Sequence, residues 1–176
     1  LQSHKALLFD STASRQILEV QGPGNLNMSA TISQDNKYLF TSSGPDLHIW
    51  DIKSGKIWQK ATDEMTKPGA KTIDLIVPAT DNSVVATASA DSLIRIWDIR
   101  SGRLLHRLQE HHYGVSKMII SPDNKKLVSA SYLDNRILVW DLASGKKDQT
   151  VNTTYNEHLR SIDFRRNRAL SFAVYQ

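Results

Sequence analysis

The chain has 176 residues, 40% of them hydrophobic, a formal net charge of +4 and no cysteine. That length and apolar content suit one domain with a sizeable core, and the lack of cysteine excludes a disulfide framework and thiolate chemistry and favours a reducing, intracellular setting in cytoplasm or nucleus. No apolar run nears the ~18 residues that span a bilayer and the first residues carry no signal-peptide block; the basic residues are scattered, so charge alone argues weakly for a nucleic-acid or membrane partner.

Three Trp-Asp pairs, Trp50-Asp51, Trp97-Asp98 and Trp140-Asp141, lie 47 and 43 residues apart, and a period of that size marks a repeat architecture. In chain order, Lys5 to Asp10 aligns with the strands that elsewhere end in Trp-Asp, with Phe9-Asp10 in that place, and Ser14 to Val20 follows it. This first half unit covers residues 1–21. The second unit, 22–62, has strands expected at Met28 to Ile32, Lys37 to Thr41, Leu47 to Ile52 and Lys56 to Lys60. Asp35-Asn36 and Ser54-Gly55 supply its turns, residues that bond their own backbone or tolerate positive φ.

The third unit, 63–110, repeats that order at Ile73 to Val77, Val84 to Ala88, Leu93 to Asp98 and Arg103 to Leu108. The fourth, 111–152, is the most regular: Val115 to Ile120, the turn Ser121-Pro-Asp-Asn124, Lys126 to Ser131, Ile137 to Asp141, Ser144-Gly145 and a polar last strand. Residues 153–176 hold Leu159 to Phe164, a basic turn, and Ala169 to Val174, the first half of another unit. Short strands with turn signals about every ten residues argue for an all-β fold of four-stranded antiparallel sheets. Such sheets are apolar on both faces and must stack on neighbours around an axis.

With Ser121-Pro-Asp-Asn124, Ser129 to Ser131, Asp134 and Trp140-Asp141 in this order, the chain resembles the WD-repeat β-propeller family over essentially its whole length. The resemblance implies about four blades' worth of propeller. The half units fit either part of a larger propeller, the preferred reading because unclosed end sheets leave pairing edges, or a small ring in which Lys5 to Val20 completes the blade begun by Leu159 to Val174.

The resemblance also implies a hydrogen-bonded set of His111, Ser129 or Ser131, Asp134 and Trp140, since a buried indole N–H or imidazole left without a partner costs ~1–3 kcal/mol. The third unit keeps Ser89, Asp91 and Trp97 but has Gly69 where the histidine belongs. The second has Gly44 for the turn aspartate and Pro23 for the histidine, which would leave Trp50 without its usual supports.

Catalytic and metal readings fare poorly. His, Ser and Asp together suggest acyl transfer, but no Gly-x-Ser-x-Gly elbow is present and the set is used up in holding Trp140. His106, His111 and His112 are split between a strand and a loop, so a solvated edge histidine followed by a structural one is expected rather than a metal site. The Gly-Lys pairs at 55–56 and 145–146 read as turns rather than phosphate loops. No catalytic residue, metal or cofactor is expected.

What remains is a non-enzymatic scaffold that binds other proteins within a larger protein or assembly, as the resemblance implies, with His112, Tyr113, Tyr132 and Leu133 on the binding face. The alternative is a basic adaptor touching RNA or another polyanion through Arg160, Arg165, Arg166 and Arg168, although no aromatic residue for base stacking surrounds them. A third reading is the regulatory domain of a larger enzyme. Neither membrane insertion nor a small-molecule substrate is expected.

Overall fold

The computed structural model describes residues 5–12, 15–21, 29–63, 72–131, 133–153, 158–164 and 170–175. Every regular element among them is a strand. A two-stranded sheet, β1 (Lys5–Phe9) and β2 (Gln16–Gln21), is followed by a four-stranded one, β3 (Ala30–Ile32), β4 (Tyr38–Ser43), β5 (Asp46–Asp51) and β6 (Lys56–Ala61). The next comprises β7 (Ile73–Pro78), β8 (Val84–Ser89), β9 (Ile94–Asp98) and β10 (Leu104–Leu108). Then come β11 (Lys117–Ile120), β12 (Lys126–Ser131), β13 (Arg136–Asp141) and β14 (Lys147–Asn152), and finally the pair β15 (His158–Phe164) and β16 (Leu170–Tyr175). All pairings join sequence neighbours and are antiparallel, so each sheet is a meander.

The turns repeat as faithfully as the strands. Asn36, Asn82 and Asn124 adopt φ of 56–59° between the first and second strands of their sheets. Asparagine tolerates this left-handed conformation better than most residues. Between the third and fourth strands, the aspartate of each Trp-Asp pair closes the turn. Asp51, Asp98 and Asp141 accept the backbone N–H of Ser54, Ser101 and Ser144 at 2.7–2.9 Å. The Ser54 and Ser101 side chains first, and then these N–H bonds, lower the Asp51 and Asp98 carboxyl pKa values, while the Ser144 backbone N–H is the largest cause lowering that of Asp141, to about 2. The aspartate is thus the capping acceptor of a turn, which is why it recurs beside the tryptophan.

Strand alternation sends successive side chains into different interfaces. Leu127, Leu138 and Trp140 join Ile94, Ile96 and Leu108 between the β7–β10 and β11–β14 sheets, while Val128, Ala130 and Ile137 face Ile162 and Phe164 of β15. Phe40, Leu47 and Ile49 meet Val85, Trp97 and Ile99 in the same way one sheet earlier. The first strands touch in succession, β3 on β7, β7 on β11 and β11 on β15, and so line the inner side of the stack. The fourth strands form its exposed outer edge.

A β-bulge interrupts the pairing of each fourth strand with the strand bearing Phe9 or the tryptophan. It leaves Ile17, Trp58, Leu105 and Asp148 out of register. Bulges re-aim side chains, and Ile17, Trp58 and Leu105 are 44–50% exposed in spite of their size. The residue after the bulge reaches the next sheet: Gln59 Nε2 donates to the Arg100 carbonyl at 3.2 Å, and His106 Nε2 lies 3.1 Å from the Ala143 carbonyl. His106 therefore ties two sheets together, in place of the solvated edge histidine expected from the sequence.

Candidate functional site

In the β11–β14 sheet, Trp140 lies opposite Leu127. Its diagonal neighbour two residues on is Ser129, within the ~7–8 Å that a long side chain spans. The indole N–H donates to Ser129 Oγ at 2.9 Å, and His111 Nε2 lies 2.8 Å from the same oxygen. His111 Nδ1 lies 3.0 Å from Asp134 Oδ2, which also accepts the His112 backbone N–H at 3.1 Å. One proton arrangement satisfies every member: the indole gives to Ser129, the Ser129 hydroxyl gives to Nε2, and a neutral His111 gives its Nδ1 proton to Asp134. Burial holds the His111 pKa below its ordinary value, against the pull of Asp134. A neutral imidazole is what this chain of donors requires.

Ser131, the other hydroxyl considered for this set, is buried, and its Oγ has no hydrogen-bond partner among the described residues. It sits two positions further along β12, about 13 Å from the residue opposite Trp140 at ~3.3 Å per strand residue, beyond the indole's reach.

The same register corrects the neighbouring sheet. Trp97 lies opposite Val85 and its indole donates to Thr87 Oγ1 at 2.8 Å, so Thr87 takes the role expected of Ser89. Asp91 serves a different partner, accepting Arg95 Nη2 at 2.9 Å. Arg95 is 6% exposed and donates through Nε to the buried Asp63 at 2.8 Å, and Asp63 also receives the Arg107 guanidinium at its two oxygens. An ion network thus stands in this sheet where the next has a neutral histidine. Its sequence signal is an arginine between two isoleucines, Ile94-Arg95-Ile96, just before Trp97.

In the β3–β6 sheet, Trp50 does have a support: its N–H donates to Thr41 Oγ1 at 2.9 Å, in the register of Thr87 and Ser129. Gly69 and Pro23, read as replacing histidines, lie outside the described residues.

Above the His111 network, Tyr113 and Leu133 are 53% and 56% exposed and His112 is exposed beside them. Arg136 Nη2 ties the Glu110 carbonyl (2.8 Å) to Asp134 (3.3 Å), which braces both segments bearing these residues. Tyr132 lies outside the described residues, as do Arg165, Arg166 and Arg168. Arg160 is on β15, with a side chain outside the description. His106, His111 and His112 do not converge: the first bonds Ala143, the second Ser129 and Asp134, and the third faces solvent. Among the described residues no group of three or more potential ligands is placed to hold a metal ion, and no helix is long and apolar enough to cross a membrane.

Comparison with known proteins agrees with this geometry. Residues 72–98 and 102–141 match the WD40 family, described as WD domain, G-beta repeat. The chain is 32% identical over 98 residues to U3 small nucleolar RNA-associated protein 12 of Saccharomyces cerevisiae, covering 51% of this chain and 10% of that protein. It is 30% identical over 82 residues to the COMPASS component SWD3 of the same yeast, 46% of this chain and 25% of that one. It is 23% identical over 114 residues to eukaryotic translation initiation factor 3 subunit I of Phaeosphaeria nodorum, 65% of this chain and 29% of that one. These matches span no more than about a third of each relative. Among solved structures, that of U3-55K superposes with a TM-score of 0.63 at 20% identity, over 73% of this chain and 41% of that one. With its repeated Trp-Asp turns, its meandering four-stranded sheets and these matches, the chain carries WD40 repeats over residues 72–98 and 102–141 and has the fold of β-propeller blades.

Proposed function

We propose that the chain is a non-enzymatic scaffold that holds other proteins in an intracellular assembly, with His112, Tyr113 and Leu133, joined by Tyr132, as the contact face. The observation that carries this reading is the exposure of Tyr113 and Leu133, at 53% and 56%, on the two segments that bear the buried His111–Asp134 pair. Large apolar side chains on a braced loop lose little conformational freedom on binding, and tyrosine is enriched among residues that dominate interface energies. Relatives named as a component of COMPASS and a subunit of an initiation factor support a place in an assembly.

The test is capture of partners by the complete protein at 0.5 M salt, comparing wild type with Tyr113→Ala combined with Leu133→Ser. Apolar contacts survive that salt, so partners are expected to stay with the wild type and be lost from the variant at unchanged melting temperature. Undiminished capture by the folded variant refutes this choice of face.

A further inference from the structure

We infer that the seam between the β3–β6 and β7–β10 sheets binds a single-stranded nucleic acid, with a base stacked on Trp58 and phosphates held by Arg100 and Arg103. Trp58 is the one tryptophan outside the Trp-Asp pairs, and the bulge in β6 turns its indole outward to 50% exposure. Tyr38 backs it, ring centres 6.2 Å apart and tilted by 53°. An exposed indole supported from behind is a platform for a base, since every base has a π-face and such stacking is indifferent to sequence.

Two grooves lie on this seam, one of them against the platform itself, and Gln59 Nε2 bonds the Arg100 carbonyl across it. One, of about 350 Å³, is lined by Trp58, Tyr38, Lys37, Asn82 and Arg100, together with Asp81 and Ile99. The other, of about 660 Å³, has Lys60, Arg103 and Arg107 along its walls. Lys37, Lys60 and Arg107 are engaged by Asp35, Asp46 and Asp63. Arg100 and Arg103 enter no salt bridge among the described residues. Asp98 turns its carboxylate into its own turn, where Ser101 first and the two arginines only after it hold it as the anion.

The remaining carboxylates in the grooves are likewise committed, Asp81 to Ser83 and Asp63 to two guanidiniums. Two exposed guanidiniums one turn apart, beside an aromatic platform, present planar donors suited to phosphate. The exposed indole face is what selects a base over a sulfated polysaccharide or a lipid phosphate, neither of which carries a π-face to stack on it. A paired base cannot reach the indole face, so the ligand is single-stranded.

The experiment is fluorescence anisotropy of labelled 12-nucleotide oligouridylate and oligothymidylate with the complete protein, between 50 and 200 mM salt. Both are expected to bind, about equally, and more tightly than a 12-base-pair RNA duplex. Trp58→Ala is expected to weaken binding about tenfold or more, with Trp58→Phe retaining most of it. Arg100→Gln with Arg103→Gln is expected to flatten the log–log salt slope by about 1.4, at ~0.7 per phosphate. Tyr113→Ala with Leu133→Ser leaves this binding unchanged, which separates the seam from the protein-binding face. The inference is overturned if neither oligonucleotide binds, if binding ignores the Trp58 and arginine substitutions in folded protein, if duplex binds as tightly as single strand, or if phosphatidylserine vesicles or polyglutamate compete better than oligonucleotide.

Discussion

The hydroxyl of Ser129 lies 2.9 Å from the indole nitrogen of Trp140 and accepts its proton while giving its own to His111, so one small side chain satisfies two large buried ones. Ser129→Ala would leave an indole N–H and an imidazole nitrogen buried and unpaired, at ~1–3 kcal/mol each. We expect a loss of about 2–4 kcal/mol in chemical denaturation. Ser129→Thr should restore most of it, because Thr41 and Thr87 serve the same role. Ser131→Ala should change stability by less than about 1 kcal/mol, since its hydroxyl holds no described partner. Equal losses at the two serines would contradict the register.

The protonation state of His111 sets an acid limit to stability. Its folded pKa lies below the ordinary value of 6.5, as does that of His48, both through burial first. The unfolded chain therefore binds more protons than the folded one below about pH 6.5, and stability is full above that pH and falls beneath it. A second decline follows below about pH 4, as the lowered carboxyls of Asp51, Asp98 and Asp141 protonate and release their serine turns. Melting temperature against pH should show both declines, and His111→Asn should flatten the first. A curve level from pH 7 to 5 would mean that the histidines titrate normally.

The Asp63 network should be among the costliest to break. Asp63→Asn leaves Arg95, 6% exposed, with Asp91 alone and takes the partner from Arg107. Removing one member of a buried ion pair typically costs ~3–5 kcal/mol, and we expect a loss in that range by denaturant titration. Arg107→Gln, at a side chain 37% exposed, should cost well under half as much.

A methyl group at Gly145 would meet the His106 ring at 2.6 Å, in a residue with φ of +68°. At Gly55, with the same φ, it would meet only Leu18 Cδ1 at 3.3 Å. Gly55→Ala should cost the ~1–2 kcal/mol of a left-handed alanine, and Gly145→Ala clearly more. His106→Ala should recover the excess in a double-mutant cycle, and additive losses would show that the ring does not press on the turn.

Substituting the three repeated tryptophans tests how far burial governs their worth. Each indole has a hydroxyl partner, but Trp97 and Trp140 are 0% and 2% exposed whereas Trp50 is only partly buried. Trp50 stands on the face of β5 opposite Ile49, which faces the β7–β10 sheet, and so looks away from that sheet. Trp140→Phe should therefore destabilise more than Trp50→Phe, through burial rather than through the missing partner that the sequence implied. Equal melting temperatures for the two variants would refute this.

The period, strand order, turns and family resemblance were all legible in the sequence, because alternation and the asparagine and glycine turn residues act within a few positions of one another. His111, Asp134 and Trp140 came from the family resemblance rather than from any local pattern, and the structure joins them through Ser129. The choice of hydroxyl was not, since the fourth and sixth residues of a strand share a face and only cross-strand register brings Thr87, rather than Ser89, to Trp97. Tertiary structure alone also joined Asp63 to Arg95 and Arg107, which follow it by 32 and 44 residues, laid His106 against Gly145, and turned Trp58 outward at a bulge. Those outcomes depend on how one sheet seats on the next, a relation that no local pattern encodes.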